Sequence, residues 1–109
     1  MVALVCGTYT ESFSSPISWP NPGILKIDPS DNKSKGNVML SFCSSSNAVY
    51  GTVTSGSDPI ITIDNQSDSS LGPISGTLYF VEEANPIMVY GMSFTLGGGV
   101  VAYYSANKQ

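Results

Sequence analysis

The chain has 109 residues, a net charge of −4 and only 11% charged residues, against about 25% in an average soluble domain. It contains no histidine, so a serine–histidine triad, a histidine–zinc site and a histidine general base cannot be built from it. Its only cations are Lys26, Lys33, Lys35 and Lys108. They are too scattered to displace counterions from a phosphate backbone or to grip an anionic bilayer, which excludes nucleic acid as a partner and leaves no basic membrane patch.

A chain of this length is expected to form a single β domain over residues 1–109, with one modest core. Serine, threonine and asparagine replace the usual lysine–glutamate surface. Such a surface repels its own copies weakly and favours self-association. The opening Met1-Val2-Ala3-Leu4-Val5-Cys6 has no basic flank, and its apolar run is too short for a signal-peptide core or a membrane span. The expected setting is therefore cytoplasmic, or that of a mature secreted form.

No window of a dozen residues keeps helical apolar spacing free of Gly, Pro or serine clusters. Strand signals recur instead, and they predict eight short strands. In chain order these are Val2–Thr10, Gly23–Ile27, Asn37–Cys43, Ala48–Thr54, Ile60–Asp64, Gly76–Val81, Ile87–Thr95 and Val100–Ser105. The fold class is all-β, an antiparallel meander forming a small barrel or a β-sandwich.

The first strand carries Cys6, whose only possible partner is Cys43. The pair reads as one disulfide or as two buried thiols. The residues after it, Glu11–Pro22, read as a long connection. Within it, Pro16-Ile17-Ser18-Trp19-Pro20-Asn21-Pro22-Gly23 is the most distinctive stretch. Three prolines stiffen the backbone around the sole tryptophan. Trp19 beside Asn21 is a candidate platform for a saccharide or small ligand, the indole stacking and the amide fixing hydroxyls. The alternative is that Trp19 folds down as a plug over one end of the core.

Two oxygen-rich segments follow, Asp28-Pro29-Ser30-Asp31-Asn32 and Asp64-Asn65-Gln66-Ser67-Asp68. Calcium takes such ligands, but neither has EF-hand spacing. Asx turns, in which Asp or Asn bonds its own backbone, account for both. The carboxylates as a group, Glu11 among them, read as turn residues. Asn32-Lys33-Ser34 and Asn65-Gln66-Ser67 would accept N-glycans in a eukaryotic secretory route.

Hairpin connections are expected at Ser44-Ser45-Ser46-Asn47, Ser55-Gly56-Ser57-Asp58, Glu83-Ala84-Asn85 and Gly97-Gly98-Gly99. Pro86 would take the first strand position after the third of these, where a missing N–H is tolerated. Gln66–Ser75 reads as a second long connection. Alternation puts Val38, Leu40 and Phe42 on one face, and Leu78 with Phe80 on another. The last two strands are apolar on both faces. They must lie between layers or cover their second face with another subunit, and the scarcity of charge favours a homo-oligomer. Tyr103 and Tyr104, with Tyr50, Tyr79 and Tyr90, suit an interface or a sugar site, or half-buried strand positions.

Three phrases repeat at strand openings: Gly7-Thr8-Tyr9-Thr10, Gly51-Thr52-Val53-Thr54 and Gly76-Thr77-Leu78-Tyr79. They resemble those of the up-and-down barrels of the avidin and streptavidin family. The resemblance implies a hairpin meander closed on itself. Biotin sites of that kind use several tryptophans where this chain has only Trp19, so it assigns no site residue. No catalytic, metal or cofactor motif stands out. The residues point to a non-enzymatic binding module, lectin-like or small-ligand-binding, with saccharides or small apolar molecules as partners. The other reading is a structural, self-assembling protein.

Overall fold

A computed structural model describes residues 2–15, 23–42, 49–54, 58–68, 72–96 and 101–109. One helical turn, α1 (Val2–Val5), precedes eight strands: β1 (Gly7–Ser15), β2 (Ile24–Pro29), β3 (Val38–Phe42), β4 (Val49–Thr54), β5 (Ile60–Asp68), β6 (Gly72–Val81), β7 (Met88–Leu96) and β8 (Val101–Lys108). Each strand pairs antiparallel with the next, and β8 returns to β1, so the sheet is a closed up-and-down barrel. This decides between barrel and sandwich. Closure removes every sheet edge.

Period-two patterning fills the barrel. Tyr9, Leu25, Ile27, Val38, Leu40, Ile61, Ile74, Leu78 and Val89 are fully buried, with Phe42 at 1% and Phe80 at 3% exposure. The expected inner faces of β3 and β6 are those observed. On β7, Val89 points inward while Met88 and Tyr90 stay half-exposed outside.

Several boundaries differ from expectation. Val2–Val5 is a helical turn and not the start of a strand. It is closed by the Cys6 N–H donating to Val2 O at 3.1 Å, and it sinks Val5 into the core at 1% exposure. Gly7, at φ 149°, carries the chain out of that turn into β1, a backbone conformation that favours glycine. β1 continues to Ser15 because β8 pairs with it as far as Ser15↔Tyr103. β5 runs to Asp68 and β6 starts at Gly72, since Gln66↔Ile74 and Asp68↔Gly72 extend their ladder. Both long connections are therefore shorter than expected, and Asp64–Asp68 belongs to a strand. Pro86 lies in the turn before β7, not at its first position.

Candidate functional site

The two ends of the barrel differ. At the first end α1 folds across the opening. The Tyr9 hydroxyl, inside the barrel, donates to Val5 O at 2.8 Å, and the Tyr9 ring meets Phe80 edge-on at 6.0 Å. Burial, with a smaller contribution from Cys6, pushes the Tyr9 phenol up to about 12. Lys108 Nζ donates to Leu4 O at 3.2 Å. What remains there is a shallow recess between Leu4, Val5, Pro59, Phe80, Glu82 and Ile87, too tight for water. This end is plugged.

Cys6 sits beside the plug as a free, half-exposed thiol between α1 and β1. It is not a buried strand residue as expected, and it is not bridged. Burial and the charge of Asp28 raise its pKa, and Lys108 partly offsets them. Cys43 lies outside the described residues.

At the second end β1, β3, β5 and β7 finish and β2, β4, β6 and β8 begin. The four segments that join them there are 16–23, 43–48, 69–71 and 97–100. The regular wall breaks on the way to this end. The register shifts between Glu11 and Phe13, Ile63 and Gln66, Ser75 and Thr77, and Gly91 and Phe94. Gly76 takes φ 140° at one of these breaks. Such irregularities re-aim side chains, and they concentrate at barrel rims and beside sites.

Glu11 stands at the first of these breaks. It is directly opposite Ala106, which is fully buried, so it shares the inner face with Tyr9 and not the solvent face of a turn. Its backbone N–H donates to Gly23 O at 3.0 Å. Its half-buried carboxylate fills the space that a side chain at buried Gly23 would need. The signal for this was in the sequence. Alternation from Tyr9 places Glu11 inward as soon as the strand runs past Thr10.

The other candidates separate. Trp19 and Asn21 lie outside the described residues. Tyr104 pairs with Gly91 and Ser14, and Tyr103 with Ser15, on the second-end half of β8; their side chains are not among those described. Tyr50 donates from its hydroxyl to Asp31 Oδ1 at 2.7 Å, a bond that raises its pKa, and Lys35 Nζ lies 5.3 Å from its ring centre. Tyr79 and Tyr90 stack on the outer wall at 5.4 Å.

Asn32 Oδ1 accepts from the Ser34 N–H and hydroxyl, as in an Asx turn. Gln66 serves the wall of β4. Among the described residues no cluster of three or more carboxylate or thiol groups could hold a metal ion. Among them, too, no helix is long and apolar enough to cross a membrane. No protein-family model matches the chain, and no curated protein and no solved structure matches it either.

Proposed function

We propose that the chain is a non-enzymatic binding module that receives a small ligand, a saccharide or a compact apolar molecule, at the second end of its barrel and works as a homo-oligomer. The observation that carries this reading is the asymmetry of the barrel. One end is plugged by α1, while the inner wall towards the other holds the Glu11 carboxylate beside a register break. Barrel mouths are preferred ligand sites, in which a mostly apolar lining with a few polar groups fixes orientation. Glu11 is an acceptor there for a ligand hydroxyl or N–H. Trp19 and Asn21 lie in the segment joining β1 to β2, and Tyr103 and Tyr104 lie on the same half of β8. These four complete the proposed ligand set. No catalytic residue is part of the reading.

Trp19 is the sole tryptophan and stands in the sequence between β1 and β2, so its emission is the probe. Titration with a panel of monosaccharides, disaccharides and small apolar metabolites is expected to give a saturable spectral shift with at least one class, abolished in Glu11→Ala. Emission unchanged by every member up to millimolar concentration, in a protein of high assembly mass, would favour the structural, self-assembling alternative. The stacked rings of Tyr79 and Tyr90 on the outer wall are the observation that keeps that alternative in play.

A further inference from the structure

We infer that the ligand of the second end carries a positively charged amino group, which the Glu11 carboxylate receives. The inference rests on the binding reading above and names the chemistry that the ligand must bring.

The inner wall puts the negative charge in place. Glu11 follows Tyr9 by two residues on β1 and stands opposite fully buried Ala106. Ala106 pairs in turn with Val89 on β7, and Leu25 pairs with Tyr9 from β2; both are fully buried. The carboxylate takes the space over Gly23, so β2 fixes its place as well as β1. A charge held against such an apolar wall attracts an opposite charge more strongly than it would in water.

The placing of the other charges selects the ligand. The chain has no arginine and no histidine, and its four lysines stand elsewhere. Lys33 and Lys35 are in the turn joining β2 to β3, at the plugged end. Lys108 turns its ammonium to Leu4 at that same end. Lys26 is exposed on the outside of β2, level with Thr8. The four segments that join strands at the second end contain no charged residue, and Asp68 ends β5 there opposite Gly72. With Glu11 it leaves that end negative. A field of one sign draws cations in and holds anions off. Hydrogen bonds from an ammonium to a carboxylate are about twice as strong as those between neutral groups, and a neutral hydroxyl gains the bond without the charge. Calcium takes about six to eight oxygen ligands. An ammonium needs one carboxylate, and its carbon body can lie along the apolar wall. An apolar amine and an amino sugar both meet this description.

Isothermal titration calorimetry with matched probes is the test. Cyclohexylammonium, cyclohexanol and cyclohexanecarboxylate share a ring and differ in head group; glucosamine and glucose are matched in the same way. In at least one set the ammonium should bind roughly tenfold tighter than its neutral partner, and cyclohexanecarboxylate should not bind. Glu11→Gln should bring the ammonium down to the affinity of the neutral probe and leave that probe unchanged. Asp58→Asn removes an equal charge from an exposed residue at the plugged end and should keep the preference. Circular dichroism must show the wild-type β spectrum in both variants. Should Glu11→Gln unfold, the wild-type comparison of charged and neutral probes still decides. A neutral or anionic probe bound as tightly as its ammonium partner, or an ammonium affinity unchanged in folded Glu11→Gln, would overturn the inference and leave the binding module standing. Heat from no probe at millimolar concentration would overturn the binding module itself, and the inference with it.

Discussion

The side-chain amide of Gln66 bonds both backbone groups of Tyr50, donating from Nε2 to Tyr50 O at 2.7 Å and accepting the Tyr50 N–H on Oε1 at 2.8 Å. The β4–β5 ladder itself stops after Thr52↔Thr62. Gln66 thus acts as one more rung where the two backbones separate. Asn37 does the same at the other edge of β4, bonding the N–H and C=O of Val53 at 2.8 and 3.1 Å. This strand is held in the barrel partly by side chains.

Gln66→Ala should therefore strip two partners from a half-buried peptide unit and cost about 1–3 kcal/mol in denaturant unfolding. Exchange of the Tyr50 amide with deuterium should accelerate in parallel. Gln66→Glu keeps the acceptor and loses the donor, and it should fall between wild type and Gln66→Ala. A loss below about 0.5 kcal/mol for Gln66→Ala would mean that water replaces the amide without cost.

Phe80→Ala removes a ring that is 3% exposed and meets Tyr9 edge-on. The expected cost is about 3–5 kcal/mol, since the barrel wall cannot collapse into the space. Less than about 1 kcal/mol would contradict its place in the core.

Tyr9 makes the plug sensitive to alkali. Its folded pKa of about 12 lies above the ordinary 10. The folded state therefore holds the phenolic proton more tightly than the unfolded chain. The stabilisation is complete below pH 10 and is lost as pH rises through 12, about 2–3 kcal/mol in all. Tyr9→Phe should abolish that part of the alkaline slope. At neutral pH it should cost about 1–2 kcal/mol, because Val5 O loses its buried donor. An identical alkaline profile in Tyr9→Phe would show that other groups carry the slope.

Gly23→Ala tests the placing of Glu11. The added methyl group meets the Glu11 carboxylate, so a destabilisation of about 1–3 kcal/mol is expected. In a Glu11→Ala background the same change should cost much less. Additive effects would show that the two positions do not touch.

Local patterning was enough for the class of this protein and for much of its interior. Alternation in Val38, Leu40 and Phe42, and in Leu78 and Phe80, needs only the two-residue period of a strand with one buried face, and the barrel buries all five. The missing histidines and arginines narrowed the chemistry with no reference to shape. Extents and ends were decided by partners remote in the chain. β1 passes Thr10 because β8 lies beside it, and that extension turns Glu11 from a turn carboxylate into an inner-wall group. Val2–Val5 has strand-like composition, yet it becomes a helical turn because capping the barrel buries Val5 and satisfies its carbonyl through Tyr9. Gln66 looked like a loop amide and became a rung of the wall. Hydrophobic period is a property of neighbouring residues. Closing a barrel is a property of strands far apart in the chain, and only their pairing fixes where each begins, where it ends and which polar side chains face inward.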